Sequence, residues 1–375
     1  MNHVANIYRL GIKELRSLWH DKVLLIFILW AFTGGIYAVA TVSSQELHNA
    51  PIAVVDEDRS TLSGRIINAF YKPYFKTPEL ITVDEVDPGL DAGIYTFVLD
   101  IPPDFEKDVR AGKQPGIQVN IDATRMTQAF IGSSYIQNII YGELTEFVQV
   151  FRSGTKLPIE LATRVKFNPN LTSAWFGSVM EVISNITMLS IILTGAALIR
   201  EREHGTLEHL LVMPLDAAEI MLAKVWSMGL VVLVAAGFSL HFVVQGLLSV
   251  PIAGSIPLFM LGALLHLFST TSMGIFMGTV SRNMPQLGLV MILTILPLQL
   301  LSGGVTPYES MPDIVQNIML VAPTTHFVSL AQAILYRGAG FDVVWPSYLA
   351  IIAIGSFFFL AALVLFRKSL TVAQV

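Results

Sequence analysis

Residues 200–214 read REREHGTLEHLLVMP and lie between two long apolar stretches of the chain. Four alternating basic and acidic residues open the segment, and charges this close to a bilayer must face water. Thr206 is a suitable helix N-cap, Glu208 would lie in the first turn, and Pro214 would end the helix. The segment therefore predicts a short helix on an aqueous face, beside a membrane that the flanking apolar stretches cross.

The composition is that of an integral membrane protein. Of 375 residues, 53% are hydrophobic and only 14% are charged, whereas soluble domains carry roughly 25% charged residues. Segment 44–172 holds 17 of the 28 acidic and 12 of the 23 basic residues, so it accounts for the whole net charge of −5. This predicts a polar domain within a membrane protein and gives no support for nucleic-acid binding. The chain has no cysteine, which excludes disulfides, thiolate metal sites and cysteine nucleophiles.

Membrane spans need roughly 20 mostly apolar residues, and the sequence offers six stretches of about this kind. They are 23–42, 175–199, 225–248, 256–280, 285–301 and 348–366. The fifth is short, and Pro297 predicts that it is broken. The predicted fold is an all-α bundle of six transmembrane helices, with a small α/β domain inserted between helices 1 and 2 at residues 43–173. The remaining spans belong to residues 174–375.

The distribution of Lys and Arg gives the orientation, because these residues accumulate on the cytoplasmic side. The side that holds both termini carries ten of them, against Arg337 alone on the other side outside the inserted domain. The ten are Arg9, Lys13, Arg16, Lys22, Arg200, Arg202, Lys224, Arg282, Arg367 and Lys368. We therefore predict cytoplasmic termini, a cytoplasmic loop at 200–222 and an external 43–173 domain. The Ala38-Val39-Ala40 sequence resembles a signal-peptide cleavage site, but the apolar run before it is longer than the roughly 7–15 residues of a signal peptide.

The first 22 residues are predicted to form an amphipathic helix on the cytoplasmic membrane surface. Ile7, Leu10 and Leu18 have helical spacing and are interleaved with Arg9 and Arg16, as in helices that lie in the interface. The alternative is a cytoplasmic extension of the first span.

The inserted domain alternates strand-like and helical stretches, which predicts a mostly parallel or mixed sheet. Strands are predicted at 51–55, 80–83, 95–102 and 116–122, and a long helix at 127–151. Asp56-Glu57-Asp58 has the spacing of a metal-binding D-x-D motif, but acids are also favoured in a turn before a helix. We interpret it as such a turn and predict no metal site.

Motifs for self-contained catalysis are absent from the sequence. It contains no G-x-x-x-x-G-K-[ST] phosphate loop, no H-E-x-x-H and no G-x-S-x-G. The chain is therefore predicted to have no catalytic residue, to bind no cofactor itself and not to be an enzyme.

Three segments resemble the type-2 ABC transporter permeases, the membrane subunits of ATP-driven exporters. They are 200–214, the Leu301-Ser302-Gly303-Gly304 run with Pro307 and Met311-Pro312 after it, and Pro323 to Phe327 before the last span. The large domain after the first span is similar to that of a subgroup that includes bacterial inner-membrane permeases paired with periplasmic adaptor proteins. The resemblance covers nearly the whole chain and is strongest to an enterobacterial inner-membrane permease.

This resemblance implies an ABC-2 type fold in the bacterial inner membrane, with 43–173 in the periplasm. It implies a separate ATPase subunit that binds ATP and Mg, a second permease chain in a homo- or heterodimer, a periplasmic adaptor, and contact with membrane lipid. The residues that would couple the chain to the ATPase are Arg200, Glu201, Arg202, Glu203, Gly205, Thr206, Glu208, Leu211 and Pro214. The alternative is that 200–214 is a solvated connector that binds nothing.

Candidates for the transport pathway lie in and near the spans. Glu181 is the only acidic residue within a predicted span, about two turns from its outer end, and Asn185 shares its helix face. Pro297, Gly303 and Gly304 interrupt the chain near the outer face. They begin a region, 302–345, that is predicted to hold two short re-entrant or interfacial helices; the alternative is an ordinary external loop.

The leading hypothesis is the permease subunit of an ATP-driven exporter. The alternative is a proton-coupled secondary transporter that uses Glu181, although we find no internal repeat of the kind common in such transporters. A third hypothesis is a membrane-anchored sensor whose external domain binds a ligand. Spans without a large charged cavity favour an amphipathic or hydrophobic substrate, similar to a drug or lipid.

Overall fold

The computed structural model describes residues 3–42, 47, 49–122, 126–151, 173–205, 215–306 and 308–372. The chain divides into two compact units. The helical unit comprises Met1–Ser43 and Ala174–Val375, and the sheet unit comprises Ser44–Ser173.

Helices come first along the chain, a stretch with both strands and helices follows, and the remaining elements are helices. The helices are α1 (His3–His20), α2 (Lys22–Trp30), α3 (Ile36–Val42), α4 (Thr61–Ala69), α5 (Val86–Asp91), α6 (Phe105–Arg110), α7 (Met126–Phe151), α8 (Ser173–Glu203), α9 (Ala217–Phe238), α10 (Ile256–Val280), α11 (Met284–Leu300), α12 (Asp313–Met319), α13 (Pro323–Leu335) and α14 (Phe341–Val372). The strands are β1 (Ile52–Asp56), β2 (Glu79–Leu80), β3 (Phe97–Ile101) and β4 (Gln118–Ile121). Two π-helical segments, Ala31–Gly35 and Ser239–Leu247, extend α2 and α9.

Within the described ranges, five helical segments are long and apolar enough to cross a membrane. They are Lys22–Thr41, Ala174–Glu203, Ala217–Leu247, Ile256–Val280 and Phe341–Lys368. Helices α12 and α13 are separated by a short break at which the chain bends by 89°. Taken together, the pair is also long and apolar enough to cross a membrane. The chain is thus a helical membrane protein with five spans, or six if the bent pair is one. Helix α11, predicted as the fifth span, has 17 residues and is about 26 Å long, less than the roughly 30 Å of a hydrocarbon core.

The prediction that Pro297 breaks α11 was wrong. The helix continues through Pro297 to Leu300, and the Leu301 amide donates to the Pro297 carbonyl at 2.9 Å. A proline removes one amide donor and crowds the carbonyl four residues earlier. Pro297 lies in the last turn of α11, so few helical hydrogen bonds follow it that a proline could disturb. The helix therefore continues for three more residues and ends at Leu300.

Helix α1 is separate from the first span. Asp21 lies between α1 and α2, and its side chain caps α2 by accepting from the Leu24 amide at 3.1 Å. The span then passes through the π-helical turn that begins at Ala31. The Asn185 side chain of α8 donates to the Ala31 carbonyl at 2.8 Å, so a buried amide supplies a partner for the backbone of this irregular turn.

Helices α8 and α10 approach each other closely through glycines. A Cβ at Gly274 would lie 2.7 Å from the Ile191 carbonyl oxygen, and one at Gly278 would lie 3.2 Å from that of Gly195. Small residues at a helix crossing let two backbones touch, which is how helices associate in a membrane.

The sheet unit contains a four-stranded sheet in the order β2-β1-β3-β4. β1 pairs in parallel with β2 and β3, and β4 is antiparallel to β3, so the sheet is mixed. Both faces of the central strands are buried: Phe97 and Leu99 belong to one apolar cluster, and Val98 and Val55 to another. The near-continuous apolar sequence of β1 and β3 follows from this burial on both sides.

The Asp56-Glu57-Asp58 turn joins β1 to α4, and its aspartates are bound within the protein. The Asp56 carboxylate accepts from the Arg59 amide at 2.9 Å and from the Ser63 hydroxyl at 2.9 Å. The Asp58 carboxylate accepts from the Glu106 amide at 3.1 Å. These bonds fix a turn before a capped helix, in agreement with its interpretation as a structural turn.

Candidate functional site

The predicted coupling segment is described as far as Gly205. Its last described residues end α8, where Gly205 has a φ of +67° and donates to the Arg202 carbonyl. This left-handed conformation favours glycine, which ends helices in this way. Thr206, Glu208, Leu211 and Pro214 lie outside the described residues. Beyond them, Asp216 and Glu219 form a capping box that begins α9, which confirms the predicted D-x-x-E helix start.

A buried group of charges connects α1, α8 and α9 at this end of the helical unit. We call it the charge cluster: Lys13 and Glu14 of α1, Glu201 of α8 and Lys224 of α9. Lys224 is only 1% exposed, and its ammonium lies 2.7 Å from Glu201 and 3.0 Å from Glu14. Lys13 contacts the other oxygen of Glu201 at 2.6 Å. Two acids and two bases thus balance each other in a site largely closed to water.

The composition of the charge cluster follows from the cost of burying ions. A buried ammonium is tolerated when carboxylates surround it closely, because attraction then offsets lost hydration. Burial raises the pKa of the Glu14 carboxyl above its ordinary value, and the Lys224 ammonium opposes that rise. The pairs join three helices that are far apart in sequence, so they fix how α1 and the ends of α8 and α9 meet.

The other predicted coupling residues of α8 also bind within the chain. Arg200 donates to Asp21 at 2.9 Å, which holds α8 against the break between α1 and α2. Arg202 donates to the Ser281 carbonyl at 2.6 Å, at the C-terminal end of α10, where a cation is favoured by the helix dipole. Glu203 accepts from the Met284 amide at 2.9 Å, at the start of α11. The four alternating charges therefore anchor α8 to four other elements: α1, α9, α10 and α11, besides the Asp21 junction.

Helix α1 is attached to α9 along much of its length. Glu219 accepts from Asn6 at 3.2 Å and lies 2.8 Å from a ring nitrogen of His3. The Trp226 indole donates to the Ile7 carbonyl at 3.2 Å, and its ring lies against Gly11. One face of the predicted surface helix therefore packs on protein.

Substituting Gly11 with alanine tests this attachment. The new Cβ would overlap the Trp226 ring, but a ring can shift where a backbone cannot, so we expect a loss of about 1 kcal/mol in the free energy of unfolding. Gly64→Ala is the matched control, because nothing lies within 4 Å of a Cβ there. Unfolding of each variant in the same detergent measures the difference, and equal stabilities would contradict the packing of α1 on α9.

A cleft of about 260 Å³ lies beside the charge cluster. Charged and polar side chains line part of it, among them Lys13, Glu201 and Arg200, and apolar side chains such as Leu193 and Met228 line the rest. His204, which directly precedes Gly205, also lines the cleft. Mixed charges beside apolar side chains are suited to binding a polypeptide surface.

The pathway candidates lie in three places. Gly303, with a φ of +93°, accepts through its carbonyl from Gln332 of α13 at 3.4 Å. Gly304 lies against Met180, the neighbour of Glu181 in α8. Asn185 is buried at the π-helical turn, and Pro297 is exposed on α11. The structure places the two glycines near Met180 and Gln332, and Asn185 lies within hydrogen-bonding reach of Glu181 on the same helix face.

His266 of α10 is a buried polar residue between these regions. It contacts the Thr187 hydroxyl at 2.8 Å and stacks on Phe327 of α13, with ring centroids 4.1 Å apart. Within the described residues it thus joins α8, α10 and the second helix of the bent pair, as a packing residue.

Sequence reasoning did not single out Glu14 and Lys224 as site residues. One signal was present: Glu14 falls on the stripe of α1 that holds Ile7, Gly11 and Leu18, where an acid needs a buried partner. The partner could not be read from sequence, because Lys224 is 210 residues away.

Comparisons with known proteins agree on one family. The profile of the ABC-2 family transporter protein matches residues 22–364. The inner membrane transport permease YhhJ of Escherichia coli K12 is 64% identical over 370 residues, which cover 99% of each chain. The probable multidrug ABC transporter permease YbhR of the same organism is 28% identical, over 95% of this chain and 96% of its own length. The probable multidrug ABC transporter permease YbhS is 26% identical, over 88% of each chain.

Proposed function

Because the chain belongs to the ABC-2 family of transporter proteins, we propose that it is the permease subunit of an ATP-driven exporter, coupled to a separate ATPase through residues 200–214. Its family and relatives are transport permeases and not enzymes. The chain is a multi-pass protein of the inner membrane, and permeases of this family normally work with an ATP-binding subunit.

The observation that carries the coupling proposal is the charge cluster. Segment 206–214 is held between α8, which ends at Glu203, and α9, which begins at Ala217. Lys224 of α9 pairs with Glu201 of α8 and with Glu14 of α1, and Lys13 of α1 also pairs with Glu201. A displacement of the segment by a partner therefore acts on a fixed junction of three helices, two of which continue as membrane spans.

The predicted coupling residues then divide into two roles. Thr206, Glu208, Leu211 and Pro214 would contact the ATPase, which binds ATP and Mg. Arg200, Glu201, Arg202 and Glu203 would pass the movement into the bundle through their anchors on α1, α9, α10 and α11. Gly205 would be the point of articulation between the two groups, because its φ of +67° ends α8.

The wider arrangement is proposed on the same basis. The excess of Lys and Arg on the side of the termini supports cytoplasmic termini and a cytoplasmic coupling segment. The sheet unit would then lie in the periplasm, and an adaptor would bind it there. A second permease chain would complete a pathway near Glu181, Gly303 and Gly304. Two relatives bear the name of probable multidrug permeases, which supports an amphipathic or hydrophobic substrate.

Reversing the charge of Glu208 tests the proposal. The complex of this chain with its ATP-binding subunit, purified by a tag on the permease, is expected to lose about tenfold in bound ATPase activity in Glu208→Arg, since an exposed ion contact at an interface costs about 1–2 kcal/mol when its sign is reversed. Glu57→Arg, an exposed acid of the sheet unit, is the matched control and should retain the activity.

Two results would overturn the proposal. One is Glu208→Arg and Gly205→Pro complexes that hydrolyse ATP and transport at the rate of the unmodified protein. The other is transport in vesicles that lack any ATP-binding subunit but respond to a proton gradient, with loss of transport in Glu181→Gln. The second result would establish proton-coupled transport instead.

A further inference from the structure

An apolar groove of about 530 Å³ runs between α1, α2 and α9. Leu25 and Leu29 line it from α2, Val231 and Val234 from α9, and Trp19 from α1. Its volume falls within the roughly 300–1,000 Å³ of small-molecule sites. Its lining is hydrocarbon apart from the indole of Trp19 and the hydroxyl of Thr33, which donates to the Leu29 carbonyl.

The groove lies along membrane spans and is open on one side. Helices α2 and α9 each belong to a segment apolar enough to cross a membrane. Leu29 and Val234 are both 62% exposed, so their side chains are available to whatever surrounds the spans. For a residue on the face of a transmembrane helix, those surroundings are acyl chains unless protein covers them.

Basic residues mark one end of the groove. Lys22 is the first residue of α2 and precedes Leu25 by one turn, on the helix face that continues to Leu29. Arg16 precedes Trp19 by one turn of α1. Both basic side chains are exposed. The intervening acid, Asp21, is bound to Arg200 at 2.9 Å and to the Leu24 amide, so its charge is already balanced.

We propose that this groove binds one anionic phospholipid. An acyl chain would lie along Leu25, Leu29 and Val234, and the phosphate would meet Arg16 and Lys22. The two basic residues favour an occupant with an anionic head, and the hydrocarbon walls favour one with an acyl chain; a phospholipid has both. In the orientation proposed above the lipid belongs to the cytoplasmic leaflet, where anionic headgroups attract basic residues. The inference does not rest on ATP-driven transport.

The absence of cysteine from the chain permits a direct test with one label. Ile26→Cys, an exposed position next to Leu25 that does not line the groove, is labelled with a small fluorophore. The labelled protein is reconstituted into vesicles that contain brominated phosphatidylglycerol or the same mole fraction of brominated phosphatidylcholine. Quenching by the anionic lipid is expected at a roughly thirtyfold lower mole fraction, which is the preference that two basic contacts provide. Leu349→Cys, an exposed apolar position on α14 far from Arg367 and Lys368, is the control site, where the two lipids should quench equally.

The double variant Arg16→Gln and Lys22→Gln should lose the preference at Ile26→Cys. Arg367→Gln with Lys368→Gln, a pair of exposed basic residues at the end of the last span, should keep it. Equal quenching by the two lipids in the otherwise unmodified chain overturns the proposal, as does a preference that survives Arg16→Gln with Lys22→Gln. Efficient disulfide formation between two Val234→Cys chains also overturns it, because a second copy of the protein would then cover the groove.

Discussion

Replacing Lys224 with methionine is expected to lower the free energy of unfolding by about 3–5 kcal/mol. Methionine fills a similar volume, so the loss reflects the charges that remain. Glu14 and Glu201, each less than 10% exposed, would lie close together, and only the half-exposed Lys13 would balance them. Denaturant titration in a fixed detergent, followed by tryptophan fluorescence, measures the change.

The triple variant Lys224→Met, Glu14→Gln and Glu201→Gln separates charge from packing. Replacing a buried ionic group by neutral residues of similar shape is often nearly neutral, so we expect the triple variant to recover most of the lost stability. If Lys224→Met alone stayed within about 1 kcal/mol of the unmodified protein, the range of surface ion pairs, then the charge cluster would be open to water and could not fix the three helices.

The second large effect is expected at the close crossing of α8 and α10. Gly274→Ala should cost about 3 kcal/mol, the upper part of the range for overpacking. The added Cβ meets the Ile191 carbonyl oxygen and Cα, and backbone atoms cannot rotate away as the Trp226 ring can at Gly11. The two helices must separate instead, which weakens contacts along the whole crossing.

The matched control for this substitution is Gly288→Ala in α11. Nothing lies within 4 Å of a Cβ at Gly288, and alanine is favoured over glycine in a helix by about 1 kcal/mol. We therefore expect Gly288→Ala to leave the protein equally or more stable in the same unfolding assay. A Gly274→Ala protein as stable as Gly288→Ala would show that the helices do not touch at this point.

Much of the helical architecture is accessible from sequence, because hydropathy reports directly on burial in a membrane. The spans predicted at 175–199 and 256–280 lie within α8 and α10, and a mixed sheet with strands near the expected positions occurs in the sheet unit. Helix ends were less predictable. Pro297 indicates a break only if it lies far from a helix terminus, and sequence alone could not place that terminus at Leu300.

The candidate site was harder to predict than the fold. The alternation of Arg200 to Glu203 suggested an exposed face that awaits a partner, yet each of these side chains is bound within the chain. Their partners come from α1, α9, α10 and α11, and no local pattern encodes such distant pairings. The contacts of Thr206 to Pro214 with an ATPase stay a prediction, which the Glu208→Arg experiment addresses.

The pairing of Glu14 with Lys224 also constrains how the protein is made. The two residues are 210 positions apart, so at about 5–20 residues per second a ribosome needs roughly 10–40 seconds between them. During that interval Glu14 lacks the Lys224 ammonium and has only Lys13 beside it, so α1 must stay at the membrane surface with its acid in water. Only after α9 has been synthesised and inserted can α1 settle against it. Helix α1 is therefore synthesised before α9 but reaches its final position only after it, and a nascent chain arrested before Lys224 should leave α1 open to protease.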